Sequence, residues 1–491
     1  MRMHHGVWLI GALWALGCGG GGASGAPGGG AAQPPSANPS GPLPSDPLAP
    51  PVAAENALGG GTGWKVADCA GPGVLDAYAS AASVNHGEAL DVHVRSNVDT
   101  RVSWQAWRMG WYGGSGGRSL ARGGPVAAGP QPMPTPDPVT GMVACHWPVT
   151  FTVQTGPDWT SGVYLLIVER SDGAQTSLPF VVRADERKGV GVFQASFTTY
   201  QAYNRWGGTS LYDGTPPAVE VSFDRPYVER CGSGQFFWYE YDFVRWAESR
   251  GFDLTYLTNL DLDRDPTLVQ GQRLFLSVGH DEYWSHPARD AIVAALATGT
   301  SLAFFSANAI YWQIRLEPSQ DGRPGRTQVC WKKRADTEDP LRGTPLETTK
   351  WALPPVNEPP HAILGVGYHS WNGPTPAAWI VKNAGAWPYE GTGVKDGDAI
   401  PGIVGYETDR VVYDAQTPPG LTILAESPVI GHDGTPDLQQ AVVRDVPGGG
   451  FVFAAGTIEW SWGLSKPGVA DPRVQRITEN VLRRAGLAPV Q

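Results

Sequence analysis

Two rhythms run along this chain, and together they predict a mixed fold: an N-terminal immunoglobulin-like β-sandwich followed by an α/β domain. Three observations carry that reading. Residues 63–184 read as short strands, several of them alternating, separated by Gly, Asp and Ser turns. From 185 to 491, buried apolar runs alternate with stretches of helical periodicity. Ahead of both, residues 19–62 are nearly all Gly, Ala, Pro and Ser, with almost no large apolar side chain.

Taken in order, residues 1–18 carry Arg2, an apolar run from Val7 to Leu16, and Gly17-Cys18. A charged start, a short apolar stretch and a small-residue exit make an export signal. The run is too short for a comfortable membrane span. Cys18 resembles the lipid-modified cysteine of bacterial lipoproteins, although Ala15 stands where Leu is usual. The expectation is an exported chain, either lipid-anchored through Cys18 to the membrane of the cell envelope or free in the periplasm or outside. Residues 19–62 cannot bury enough surface to offset their ordering entropy, so they read as a tether.

Within 63–184, Leu90-Asp-Val-His-Val-Arg95 and Thr150-Phe-Thr-Val-Gln154 alternate, while Val163-Tyr-Leu-Leu-Ile-Val168 is a buried run. Arg108-Met-Gly-Trp-Tyr-Gly-Gly-Ser-Gly-Gly117 interrupts the series. No Lys-Ser/Thr follows it and no helix opens there, so it reads as a loop packed on the next domain rather than a phosphate cradle. Within 185–491, Lys188–Ala195, Leu254–Leu257, Leu274–Val278 and Ser301–Ser306 suit buried strands, and Gln235–Ser249 and His286–Ala297 suit helices. Asp471-Pro472 opens a final amphipathic helix. Ile363 to Gly463 reads as hairpins.

The charge of −11, from 36 Lys+Arg against 47 Asp+Glu, argues against a nucleic-acid partner, which would need a basic surface. With Cys18 assigned to an anchor, Cys69, Cys145, Cys231 and Cys330 remain. An oxidising compartment permits two disulfides in three connectivities, with Cys69–Cys145 inside the first domain as the expected pair. No cysteine or histidine spacing suggests zinc.

Ligands of open α/β sheets sit beyond the carboxyl ends of the strands. Here those ends deliver Thr198-Thr-Tyr-Gln-Ala-Tyr-Asn204, Gly279-His-Asp-Glu-Tyr-Trp284 and Ser306-Ala-Asn308. His280, Asp281 and Glu282 offer an imidazole and two carboxylates for metal binding or acid–base work; the bland reading is a helix start capped by Asp281 or Ser285. Asn308 could orient a carbonyl or merely stabilise a turn. Tyr200 and Tyr203 read first as packed aromatics. The single G-x-S-x-G, Gly113–Gly117, lacks the strand-to-helix elbow a serine nucleophile needs.

Arg108-Met-Gly-Trp-Tyr-Gly-Gly114, Thr199-Tyr-Gln-Ala-Tyr-Asn204, Ser222-Phe-Asp-Arg-Pro226, Gly279-His-Asp-Glu-Tyr-Trp284 and Gly405-Tyr-Glu407 occur here in one order. Together they resemble the large (β) subunit of the N,N-dimethylformamidase family, from about Ala67 to the C-terminus. The resemblance implies that the α/β domain is glutamine amidotransferase-like and flavodoxin-like, without a catalytic cysteine. It also implies a mononuclear iron held by two tyrosines and a glutamate. Carried onto this chain, the metal ligands would be Tyr200 and Glu282, and His280 and Asn308 would support those ligands or orient substrate. Glu407 would be the candidate catalytic carboxylate, the alternative being a surface strand residue. The second tyrosine falls where this chain has Phe223, so Tyr227, Tyr203 or Tyr241 would have to replace it, or the iron site is altered.

Two functions follow. One is an exported amidohydrolase that cleaves a C–N bond of a small amide with metal-activated water. The other is a non-catalytic surface protein, with a degenerate metal site, whose 20 Trp stack on sugar rings. Homo-oligomerisation is left open.

Overall fold

The computed structural model describes residues 52–489. The export signal, Cys18 and most of the tether lie outside them. The chain folds as a mixed α/β protein with several sheets.

The N-terminal part holds two sheets. A three-stranded sheet orders Leu75–Ala79, Ala89–Ser96 and Phe151–Gln154. A five-stranded sheet orders Ser83–Asn85, Gln175–Arg183, Gly162–Arg170, Thr100–Met109 and Gly117–Ala128. Its pairings are antiparallel except that of Ser83–Asn85, which runs parallel to Gln175–Arg183. The alternation read in Leu90–Arg95 is real: Leu90, Val92 and Val94 are buried in the core shared by the two sheets.

The continuous apolar run at 163–168 has a different cause. Tyr164, Leu166 and Val168 enter the core between the two sheets, while Val163, Leu165 and Ile167 enter a second core with Phe193, Phe243 and Tyr256 of the following part. A strand covered on both faces has no solvent side, so its sequence does not alternate.

That following part is built on a seven-stranded sheet ordered Leu254–Thr258, Gly191–Ala195, Leu274–His280, Ser301–Ala307, Phe451–Ala454, Pro436–Asp445 and Thr422–Ile430. The first five strands are parallel and the last two antiparallel. Successive residues of its central strands feed opposite cores: Leu276, Ala303 and Phe305 on one face, Phe275, Leu302 and Phe304 on the other. A separate antiparallel pair, Val366–Ile380 with Ala399–Val411, reaches back to this sheet. It carries Glu407 opposite Trp371.

Three expectations change. The stretch read as one helix over Gln235–Ser249 is two segments, Phe236–Tyr239 and Tyr241–Ser249, meeting at Glu240. The end of the expected tether is folded: Val52–Asn56 is a helix, with Glu55 and Asn56 buried. Glu55 pairs with Arg118, and Asn56 bonds Glu248. Polar anchors of this kind leave no apolar pattern in the sequence. The expected Cys69–Cys145 bond is replaced by Cys69–Cys231, which joins the two parts of the chain with 5.6 Å between Cα atoms. Cys145 and Cys330 are free and buried.

The glycine-rich aromatic loop lies at the junction. Arg108 is fully buried and makes a two-pronged ion pair with Glu248, at 2.8 Å on each prong. The guanidinium of Arg245 lies over the Trp111 ring.

Candidate functional site

The site forms where the Leu274–His280 strand ends. Gly279 has φ +76°, and a Cβ there would fall 2.3 Å from Cβ of Tyr239, so glycine alone brings the strand this close to its neighbour. Asp281 is fully buried and accepts hydrogen bonds from Gln194, Asn259 and Ser277 at 2.8–2.9 Å. It anchors the turn and aims its two neighbours. The Glu282 amide donates to Thr199 Oγ1 at 2.9 Å, and its carbonyl accepts from the amides of Tyr311 and Trp312.

With the turn pinned, His280 and Glu282 face the same way. His280 Nε2 lies 3.3 Å from Glu282 Oε2 and 3.1 Å from Glu407 Oε2. Neither carboxylate meets the geometry of a hydrogen bond to that nitrogen. Burial by itself would lower the imidazole's affinity for a proton. The charges of Glu407 and Glu282 outweigh burial and raise the His280 pKa to about 10. The carboxyl of Glu282 is raised by burial but lowered more by His280, Lys332 and Tyr203, and ends below its ordinary value.

Both oxygens of Glu282 are taken by phenols. Tyr203 donates to Oε2 at 2.8 Å and Tyr212 to Oε1 at 2.9 Å, with 3.1 Å between the two phenol oxygens. Tyr283 donates to Tyr212 at 2.7 Å. Lys332 Nζ sits 3.2 Å from the centroid of the Tyr212 ring and donates to the Leu211 carbonyl. Burial pulls its ammonium down to about 8, against the pull of Glu282.

Asn308 follows the Ser301–Ala307 strand in the left-handed region, at φ +51°, which Asn tolerates better than most residues. Its Nδ2 donates to Glu407 Oε2 at 2.9 Å and its amide to Asp409 Oδ1 at 2.8 Å. Its side-chain carbonyl Oδ1 is buried without a partner among the described residues. Burial raises the Asp409 carboxyl to about 7. Tyr406 and Tyr239 stack with ring centroids 6.1 Å apart, beside the His280 ring.

His280, Glu282, Asn308 and Glu407, distant in sequence, are thus brought together. Tyr200 is placed elsewhere. It points into the core against Phe197 and Tyr227, and its buried hydroxyl faces Glu240 without a hydrogen-bond partner among the described residues. One helical turn along, Tyr203 reaches Glu282 in its stead. Of the proposed substitutes for Phe223, Tyr241 bonds the Gly116 carbonyl and Tyr227 packs on Tyr200. The second tyrosine at Glu282 is Tyr212, from the Ser210–Asp213 turn, which no sequence motif singled out. Lys332 was also missed, because it opens a single 3₁₀ turn, Lys332–Arg334, after the buried Cys330-Trp331 pair, too short to show a local pattern.

His286, Asp290 and Glu358 also bring ligand atoms within 4.8 Å of one another. Arg289 already pairs with Glu358, and the helix N-terminus at His286 disfavours a further cation.

The tryptophans are core residues more than a wall. Trp206, Trp284, Trp351, Trp379 and Trp460 are each under 2% exposed.

The profile of the family described as N,N-dimethylformamidase beta subunit-like, C-terminal, matches residues 103–474. The chain belongs to this family. It is 25% identical over 338 residues to the N,N-dimethylformamidase beta subunit of an Alcaligenes species, covering 56% of this chain and 42% of that one. The chain therefore spans less than half the length of the curated relative it matches. Among solved structures, similarity extends to a superoxide reductase (neelaredoxin) from Ignicoccus hospitalis, with 15% identity, a TM-score of 0.15, and coverage of 23% of this chain and 82% of that one. The sporulation control protein Spo0M from Bacillus subtilis follows, with 12% identity, a TM-score of 0.16, and coverage of 23% and 49%. Neither overlap is extensive enough to bear on this fold.

Proposed function

We propose that this N,N-dimethylformamidase-like chain is an exported hydrolase that cleaves the C–N bond of a small amide at the His280–Glu282–Glu407 site. One observation carries the reading: a buried imidazole stands between two carboxylates, and two phenols close on the oxygens of one of them. That is an acid–base constellation beside an all-oxygen donor set. Membership of the family supports the amide substrate. The Cys69–Cys231 bond supports an oxidising compartment. The parallel core of the seven-stranded sheet supports a glutamine amidotransferase-like architecture, with the neighbouring sheets as an immunoglobulin-like companion.

The family resemblance brings iron with it, and these residues fit such an ion. Tyr203, Tyr212 and Glu282 would hold it. Their oxygens already lie within hydrogen-bonding distance of one another, and Lys332 lies over one ring. As they stand, burial and the Glu282 charge keep both phenols protonated and donating; as ligands of a cation, Tyr203 and Tyr212 would give up those protons. When bound, the metal supplies Lewis acidity towards the amide carbonyl and lowers the pKa of water.

The chain's own groups do the rest. Glu407, held by Asn308, accepts the proton of the attacking water and returns it to the amine nitrogen as the C–N bond breaks. The imidazolium of His280 and the second N–H of Asn308 Nδ2, the one not given to Glu407, are the donors that hold the oxyanion of the tetrahedral intermediate. The test is formamide and dimethylformamide hydrolysis by the iron-reconstituted protein, with Glu407→Gln as control. Hydrolysis by wild type alone supports the reading, and equal rates from both proteins reject it.

A further inference from the structure

Residues 52–69 cross the junction, buried at Val52, Glu55 and Asn56 and exposed at Cys69, and hold it at three points. Asn56 donates to Glu248 at 2.7 Å and accepts the amides of Trp111 and Tyr112 at 2.7 and 3.0 Å. Trp64 stacks on Phe237 with centroids 5.4 Å apart and rings 12° from parallel, and its indole donates to the Ser115 carbonyl at 3.0 Å. Cys69, at the exposed end, is bonded to Cys231.

Two of these three contacts fall on one segment, residues 229–241. Cys231 lies near its start and Phe237 just past its middle. Its backbone is unusual: Arg230 and Cys231 both take left-handed conformations, at φ +49° and +59°, which side-chain-bearing residues adopt at a cost. The Cys231 carbonyl is held by Ser177 Oγ at 2.9 Å. Beyond Phe237 the same segment delivers Tyr239 against Gly279, where no Cβ would fit, and beside the rings of His280 and Tyr406. A shift of this segment therefore moves an aromatic wall of the site, while His280 stays pinned by its own strand.

We propose that the Cys69–Cys231 bond and Trp64 form an external brace that positions Tyr239, so that the fit of substrate at the site depends on the bridge being oxidised. The word substrate rests on the function proposed above; the brace itself does not. A dithiol reductant opens it. The S–S bond breaks, the dithiol supplies two electrons and closes to its own disulfide, and Cys69 and Cys231 leave as two thiols. The 229–241 segment then loses its covalent tie at Cys231, and the left-handed turn at Arg230 and Cys231 can relax, while the Trp238 and Tyr239 carbonyls keep their bonds from Trp462 Nε1 at 2.7 Å and Ser461 Oγ at 2.6 Å.

The test compares oxidised full-length protein, the same protein reduced with dithiothreitol, and the oxidised Trp64→Ala variant, by hydrogen exchange resolved by segment and by nitration of Tyr239. The brace predicts that reduction speeds exchange across 229–241 by about tenfold and raises Tyr239 nitration, while the Ser301–Ala307 strand keeps its protection. Trp64→Ala should do the same more weakly with the bridge intact. Unchanged exchange in 229–241 overturns the proposal. So does loosening that spreads equally to Ser301–Ala307, because the bridge would then be a general staple. If amides are hydrolysed, reduction should raise KM about fivefold with kcat constant within about twofold. A fall in kcat alone overturns the link to substrate fit. Local loosening in a protein that hydrolyses no amide rejects the function and leaves the brace standing.

Discussion

Asn308 donates to Glu407 at 2.9 Å, through the same carboxylate oxygen that lies 3.1 Å from His280 Nε2. The Asn308 amide thus orients Glu407 towards the imidazole. Replacing Glu407 with Gln keeps this hydrogen-bonding shape and removes the base. The expected result is a loss of about 10²–10⁴-fold in kcat, read by steady-state hydrolysis, with the native circular dichroism spectrum retained. Asn308→Ala should cost less, because Glu407 remains but is no longer oriented.

Tyr200 separates packing from chemistry. Its hydroxyl is buried without a partner among the described residues, so Tyr200→Phe removes an unsatisfied group and adds none. The variant should be as stable as wild type or more so, by up to about 1 kcal/mol, in urea unfolding. A loss of stability would mean that the hydroxyl has a partner, with Glu240 the obvious one.

Arg108 and Glu248 are both fully buried at the junction, where Asn56 and Tyr256 complete the carboxylate's bonding. Removing one partner strands the other charge. Arg108→Ala should cost about 3–5 kcal/mol in chemical unfolding, and the double change Arg108→Met with Glu248→Leu should recover a large part of it. Equal losses from single and double variants would show that volume, not charge, sets the cost.

Burial raises Glu240 and Glu459 to about 8 each, from the usual 4.5. Each has one carboxylate oxygen without a partner among the described residues. The unfolded chain releases these protons near pH 4.5, and the folded one holds them to about 8. Between those values the native state binds more protons, so stability falls as pH rises. The contribution is full below pH 4.5 and is lost as pH climbs through about 8. Urea midpoints measured from pH 5 to about 9 should decline in wild type and decline less in Glu240→Gln; parallel curves would contradict this.

Much of the frame was legible because it rests on local patterns. Leu274–Val278 and Ser301–Ser306 are mostly apolar runs, broken only by serine, that end in polar groups, and strands buried on both faces read that way. His280, Glu282 and Asn308 could be named as candidates because they stand at those ends. Glu407 could not be found this way. It comes from a separate strand pair, and only the family resemblance pointed to it. Tyr212 carried no signal at all, since a turn residue's reach depends on where the Ser210–Asp213 turn lands. Tyr200 and Tyr203 share one short helix, and a motif cannot tell which faces the strand end. The Cys69–Cys231 pairing spans 162 residues and two parts of the fold, a separation that local reading cannot resolve.

The most direct test is iron content together with the visible spectrum of the reconstituted protein and of its Tyr203→Phe, Tyr212→Phe and Tyr200→Phe variants. The account predicts about one iron per chain and a tyrosinate-to-iron colour. That colour should weaken or vanish in Tyr203→Phe and Tyr212→Phe and persist in Tyr200→Phe. A colourless, metal-free wild type, or a colour that only Tyr200→Phe abolishes, would contradict it.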